Sequence, residues 1–259
     1  MLSIIPIPAF RDNYIWLIRA GMRAAVVDPG DAAPVIAYLE RERLQLSAII
    51  ATHHHNDHVG GNVGLLARWR VPVFGPARET IPGRTNALGE GDRVSIPGID
   101  ATFDVLDIPG HTAGHIAFVG SLGSVSAVFC GDTLFAVGCG RLFEGTPTEM
   151  WSSLSKLAAL PSETRVFCGH EYTLANIRFA LAVEPGNRTL IARRSMEEQK
   201  RAQGEPTLPS TIGDERATNP FLRAEQPAVK IAAEAHAGQS FDNAVATFAA
   251  LRAWKNAFQ

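Results

Sequence analysis

Between residues 53 and 58 the chain reads HHHNDH, so that His53, His55, Asp57 and His58 stand in the pattern HxHxDH. Alternate side chains of an extended segment share a side, which aims the imidazoles of His53 and His55 at one ion and leaves His54 as a supporting residue. Asp57 and His58 follow in the turn, where a carboxylate next to an imidazole can address a second ion a few ångströms away. Imidazole nitrogen with carboxylate oxygen suits zinc, iron or manganese. A single histidine is more often a satisfied core or surface residue, but four within six positions read as a metal site. Two ions there would generate hydroxide from water near neutral pH, and the chemistry so indicated is metal-dependent hydrolysis.

Two ions need more ligands, and an anion between them to offset their repulsion. Four apolar runs, Ala48–Ala51, Phe103–Ile108, Val125–Cys130 and Arg165–Cys168, read as strands and lead into His53, His111, Asp132 and His170 respectively. Gly110, Gly131 and Gly169 directly precede the last three ligands and let the chain turn where each strand stops; four such ends at one sheet edge would make a rigid polar cavity. Asp132 is the only carboxylate among the distant ligands and is the expected bridge. Catalysis is assigned to Asp57 and Asp132. His115 reads as a structural hydrogen-bonding residue and His236 as a surface one. Asp28, between Val27 and Pro29, fits either a support for a ligand or a turn residue.

The elements that must position these residues change in character along the chain. Up to about residue 171 short β-rich runs alternate with helical stretches, and beyond it the periodicity is helical with hardly any strand signal. Two domains are expected, 1–171 catalytic and 172–259 α-helical and substrate-binding, with a loop from Gly204 to Gly213. Thr146, Pro147 and Glu149 predict a capping box with proline in the first turn of a helix that Pro161 closes, its apolar stripe formed by Met150, Trp151, Leu154, Leu157 and Ala158.

Across 259 residues, 46% of them hydrophobic, 24 basic and 26 acidic side chains give a net charge of −2. Such a chain buries a sizeable core but has no general field for nucleic acid or an anionic membrane, so any anionic ligand must be caught by a local cluster. No apolar stretch approaches the roughly 20 residues of a membrane helix. The segment Leu2–Phe10, interrupted by Pro6 and Pro8, lacks the basic leader and small-residue cleavage site of an export signal. Cys130, Cys139 and Cys168 are three and widely spaced, neither a disulfide framework nor a cysteine zinc pattern; Cys130 and Cys168 read as buried small hydrophobes. A cytoplasmic monomer is the expectation.

HxHxDH followed by His111, Asp132 and His170 resembles the metallo-β-lactamase superfamily. The resemblance implies an α+β fold, an αββα sandwich with its site at one edge of two facing sheets, here with a C-terminal helical domain. Over essentially its whole length the chain is similar to the glyoxalase II (hydroxyacylglutathione hydrolase) family, through Asp12–Asn13–Tyr14, THHHNDHVGGN, PGHTAGH, GDTLF, GCGRLFEGT, CGHEYT, NPFLR at Asn219–Arg223, and Arg252 with Lys255. This implies one ion on His53, His55 and His111, a second on Asp57, His58 and His170, and Asp132 bridging. It also implies two divalent metal ions, zinc first with iron or manganese as alternatives, and substrate contacts from Arg141, Phe143, His170, Tyr172, Arg252 and Lys255. Many members carry lysine and tyrosine where Arg141 and Phe143 stand, so one hydroxyl contact is missing here.

The reaction so implied is hydrolysis of a glutathione thioester, S-D-lactoylglutathione giving D-lactate and glutathione, the second step of methylglyoxal detoxification. Glutathione brings two carboxylates, and Arg252 and Lys255, three apart in a terminal helix, share a face that can meet them. Two other readings use the same residues: a single-iron persulfide dioxygenase that also recognises glutathione, and a metal- or glutathione-binding module without catalysis. Lactonases and β-lactamases would leave GCGRLFEGT and the terminal basic pair without a purpose.

Overall fold

A computed structural model describes residues 2–258. In the first sheet β1 (Leu2–Ala9), β2 (Asn13–Ala20), β3 (Arg23–Val27), β4 (Gln45–Ile50), β5 (Val73–Pro76) and β6 (Asn86–Leu88) lie side by side in chain order. β1 to β3 are antiparallel, and from β3 onward the strands run parallel. The parallel pairs need crossovers, supplied by α1 (Ala32–Arg41) before β4 and by α2 (Asn56–Val59) and α3 (Asn62–Leu66) after it. Pro6 and Pro8 sit in β1, an edge strand, where a missing N–H costs no ladder bond.

The second sheet has the order β14-β13-β10-β9-β8-β7, formed by β7 (Arg93–Ser95), β8 (Thr102–Asp107), β9 (Ile116–Leu122), β10 (Val125–Gly131), β13 (Arg165–Cys168) and β14 (Ser210–Thr211). A small hairpin, β11 (Leu134–Phe135) with β12 (Gly138–Cys139), follows β10, and α4 (Pro147–Ala158) leads to β13. The capping box of Thr146 and Glu149 forms as the sequence predicts, and α4 ends ahead of Pro161, which disfavours helix in the residue before it. The four expected strands are β4, β8, β10 and β13, displaced by a few residues at most.

Side-chain alternation sorts the first sheet into two faces. Tyr14, Trp16 and Ile18 of β2, with Ala25, Val27, Ala48 and Ile50, turn toward Phe103, Val105, Phe118 and Phe129 of the second sheet in one core. Ile15, Leu17, Val26 and Ile49 turn the other way, onto Val35, Leu39 and Leu65 of α1 and α3. The outer face of the second sheet takes Met150, Leu154 and Leu157 of α4. Helix, sheet, sheet and helix thus stack as the αββα arrangement requires.

Beyond β13 the chain is helical: α5 (Thr173–Val183), α6 (Arg188–Ala202), α7 (Ile212–Thr218), α8 (Pro227–Ala237) and α9 (Ala244–Ala257). Their apolar residues Phe179, Phe221, Phe248 and Leu251 join the same core as the second sheet. The stretch Gly204–Gly213, expected as loop throughout, contains β14, which pairs Thr211 and Ser210 with Arg165 and Val166. Two residues after a proline carry too little pattern for a strand signal, and the edge of β13 supplies the rest. Among the described residues no helix is long and apolar enough to cross a membrane.

Candidate metal centre and substrate cavity

The four ligand-bearing strands end together, but at a seam between the sheets and not at the edge of one sheet. β4 delivers His53 from the first sheet, while β8, β10 and β13 deliver His111, Asp132 and His170 from the second. Backbone bonds close the seam: Tyr14 N–H donates to Gly169 O at 2.8 Å and Glu171 N–H to Asp12 O at 2.8 Å. Glycines make the approach possible. Gly131 turns at φ +47°, and a Cβ there would run into Thr52 Oγ1; one on Gly169 would lie 2.7 Å from Asp132 Oδ1.

Three nitrogens converge on one side. His55 Nδ1 lies 3.2 Å from His53 Nε2 and 3.0 Å from His111 Nε2. On the other side Asp57, His58 and His170 bring ligand atoms within 4.8 Å of one another. Asp132 faces both groups: Oδ1 is 3.3 Å from His58 Nε2, and Oδ2 is 3.3 Å from His170 Nε2 and 3.5 Å from His111 Nε2.

The outer nitrogen of each buried imidazole shows which lone pair is presented. His111 Nδ1–H donates to Arg141 O at 2.8 Å, His170 Nδ1–H to Asp12 Oδ1 at 2.8 Å, and His58 Nδ1–H to Asp28 Oδ2 at 3.1 Å. Thr52 Oγ1 spends its proton on Asp28 Oδ2, at 2.7 Å, and so accepts from His53 Nδ1–H at 3.1 Å. In all four residues Nε2 is the nitrogen aimed inward, the arrangement that orients metal-ligating histidines. His58 Nε2 and Asp132 Oδ1 are buried without a hydrogen-bond partner. Such orphans are costly unless a cation satisfies them, and imidazole with carboxylate is a donor set for a divalent metal.

The electrostatics divide the site. Burial holds His53, His55 and His111 below the usual imidazole range, so they are neutral imidazoles, the form that can ligate a metal. Burial also pushes His58 and His170 down, but Asp132, with Asp28 or Asp57, outweighs it and leaves His58 raised and His170 at about 10. The His170 hydrogen bond, the nearby His58 and the Asn13 amide hold Asp57 below the carboxylate range despite its burial. This half holds the protons that a cation would displace on binding.

A cavity of about 560 Å³ opens from this cluster, lined by His55, Asp57, His111, Asp132 and His170 and also by Arg141, Phe143, Tyr172, Arg252 and Lys255. Every site residue expected from the sequence except the buried His53 and His58 lines it, and those two lie beneath. Tyr172 stacks on His170 with ring centroids 4.7 Å apart; Phe143, 63% exposed, stands edge-on to His55 and His111. Arg252 Nη1 donates to Cys139 O at 2.9 Å, and Lys255 Nζ to Ala175 O at 3.1 Å. Burial, with Arg252 and Arg178 nearby, lowers Lys255 to about 8.

Residues read only generally acquire places here. His115 stacks on His53; its Nδ1–H donates to Ile116 O and its Nε2 accepts Asp132 N–H at 3.2 Å, a structural role. His236 is exposed on Trp254. Asp28 supports ligands, and all three cysteines are buried and free. Sequence reasoning missed the tasks of Asp12 and of Asn13, whose amide donates to Asp57 Oδ2 at 3.0 Å. It also missed Glu79, which accepts from His54 Nδ1 and Gly114 N, both at 3.0 Å, and so ties the histidine segment to the loop bearing His111. No spacing marks Glu79; its signal is only its burial.

Residues 9–170 match the model of the metallo-beta-lactamase superfamily, and residues 171–258 match that of the hydroxyacylglutathione hydrolase C-terminus. The chain is 57% identical over 267 residues to a hydroxyacylglutathione hydrolase of Cupriavidus taiwanensis, covering 100% of both chains. It is 59% identical over 258 residues to one of Alkalilimnicola ehrlichii, covering 99% of both. Among solved structures, ETHE1 from Myxococcus xanthus shares the fold at TM-score 0.64 and 23% identity, covering 100% of both chains. TTHA1623 in a di-iron-bound form matches at TM-score 0.59 and 29% identity, over 84% of this chain and 100% of that one.

Proposed function

The chain belongs to the hydroxyacylglutathione hydrolases of the metallo-beta-lactamase superfamily, and from that premise we propose how its residues hydrolyse a glutathione thioester. The substrate is an S-(2-hydroxyacyl)glutathione such as S-D-lactoylglutathione, and the products are glutathione and the 2-hydroxy acid. The observation that carries this reading is one cavity whose lining joins the histidine–aspartate cluster to Arg141, Arg252 and Lys255.

His53, His55 and His111 would hold one divalent cation and Asp57, His58 and His170 a second, with Asp132 facing both groups. Zinc, iron and manganese all suit this donor set, and a similar protein is known in a di-iron-bound form. Cations bound there would supply a lowered pKa for water, from about 15.7 toward about 7, and positive charge for the thioester carbonyl oxygen. The chain does the rest. Asp57, kept ionised and fixed by Asn13, orients the attacking water, whose proton passes to solvent as hydroxide forms. Arg252 and Lys255 take the carboxylates of the glutathione moiety, Arg141 adds charge, and Tyr172 and Phe143 flank the acyl end and exclude bulk water. The leaving thiol has a pKa of about 8.5 and departs as thiolate without a strong general acid. Residues 1–171 carry the ligands, and residues 172–259 supply Tyr172, Arg252 and Lys255, which is the functional sense of a division at residue 171.

Loss of thioester absorbance with S-D-lactoylglutathione, measured beside metal analysis, tests the reading. About two metals per chain with turnover and no oxygen uptake is the expected result. A fully metallated protein that leaves the thioester intact overturns it, and oxygen consumption with a glutathione persulfide would favour the dioxygenase instead.

A further inference from the structure

The hairpin of β11 and β12 puts Phe135 and Cys139 into the cavity wall and leads directly to Arg141 and Phe143. Its own ladder is two residue pairs long, too short to hold a shape unaided. Between the strands Val137 stands at φ +57°. A β-branched residue occupies that left-handed region only where its surroundings over-determine it.

Here they do. Phe135, Ala136, Val137, Gly138 and Cys139 each give a backbone group to a side chain from the helical part of the molecule. Asn219 Nδ2 donates to Phe135 O at 3.2 Å and Gly138 O at 2.9 Å, Asn176 Nδ2 to Ala136 O at 3.0 Å, and Arg252 Nη1 to Cys139 O at 2.9 Å. Only Val137 offers a donor, and its N–H reaches Glu215 Oε2 at 2.7 Å. Glu215 is fully buried. The same oxygen takes an Asn219 Nδ2–H at 3.0 Å, and Oε1 takes Arg193 Nη2–H at 2.8 Å from an equally buried guanidinium. A buried carboxylate so paired is rigid, and removing it strands the Val137 amide and leaves Arg193 with only Thr218 and, at 3.7 Å, Glu197.

We propose that Glu215 is a positioning residue for substrate binding: braced by Arg193 and Asn219, it clamps Val137 in its left-handed turn and thereby sets the cavity wall from Phe135 to Cys139. The proposal rests on the thioester-hydrolase reading above. Without the Glu215 carboxylate the turn relaxes toward extended backbone, Cys139 shifts, and Arg252 loses the carbonyl that orients it, while Arg141 O stays bonded to His111. The metal ligands stay, because Asp132 is held from the other side by His115 and by the end of β10.

Glu215→Ala is expected to raise KM for S-D-lactoylglutathione about tenfold while kcat and metal content stay within about twofold, the mark of lost positioning on the binding wall. Val137→Gly in that background is expected to recover most of the loss, since glycine holds the turn without a clamp. Glu215→Gln, which keeps the acceptor for Val137 N–H, is expected within about threefold of the unaltered KM and serves if the alanine variant does not fold. Unchanged KM in Glu215→Ala overturns the proposal, as does a loss that Val137→Gly fails to reduce, or a Glu215→Gln defect as large as that of alanine. An unaltered protein without turnover would instead overturn the hydrolase reading, whereas these outcomes presuppose its activity.

Discussion

One wall of the cavity is made of strand ends and the other of a helix and a braced hairpin. On the first, His53, His111, Asp132 and His170 follow β4, β8, β10 and β13 closely, and they are held by Thr52, Arg141 O, His115 and Asp12 respectively, with Asp28 behind Thr52. On the second, Arg252 and Lys255 reach in from α9, and the β11–β12 hairpin is shaped by side chains far along the chain. The metal wall needs ligand atoms fixed within a few tenths of an ångström, which rigid sheets supply. The substrate wall needs charge in the right neighbourhood, which long side chains on a helix can give. Errors on the two walls should therefore have different consequences.

The sharpest break should come from Asp132→Ala. It removes the one group facing both halves, so metal content and kcat are expected to fall together, kcat by about 10³-fold or more, from the several kcal/mol a metal ion supplies. Metal analysis beside steady-state kinetics checks this, and an active mutant retaining two metals would sink the assignment. Next in size is Asp28→Asn, which touches no metal yet loosens His53 through Thr52 and His58 directly. Metal affinity should drop about 10- to 100-fold by competition with a chelator, as for other orienting partners.

On the opposite wall Arg252→Ala should raise KM about 10- to 100-fold, the worth of a charge-assisted contact, and leave the metal content alone. The smallest effect is a pH dependence. With its ammonium depressed to about 8, Lys255 is charged below that pH and neutral above it. An anionic substrate is held by the charged form, so KM should rise as pH passes from about 7 to about 9, about fivefold for the ~1 kcal/mol of a part-exposed ion pair. Lys255→Arg should flatten the rise, because arginine does not deprotonate there. A profile identical in the two proteins would remove Lys255 from the binding wall.

The same contrast governs what the sequence discloses. HxHxDH and the strand ends at His111, Asp132 and His170 are legible because ligand type, adjacent glycine and apolar run coincide within a few residues. The capping box at Thr146–Glu149 is equally local. Arg252 and Lys255 show only a shared helix face, which a solvated surface would also show, and it is the family resemblance that gives them a purpose. Glu215 and Arg193 are less legible still. Both stand in polar helical segments that read as exposed, and only the fold reveals that each is buried against the other. Asp12, Asn13 and Glu79 fail for a related reason: their partners lie 25 to 158 residues away, beyond any local pattern.

The seam at Tyr14 and Glu171 gives the molecule a built-in clock. Those two amides donate across from one sheet to the other, on either side of the Asn13–His170 bridge. Neither can trade its hydrogen for deuterium until the sheets part locally, and that parting draws His170 away from Asp57. Their exchange rates, read against amides in mid-β10, would time how often the second ligand group comes apart in a protein that remains otherwise folded.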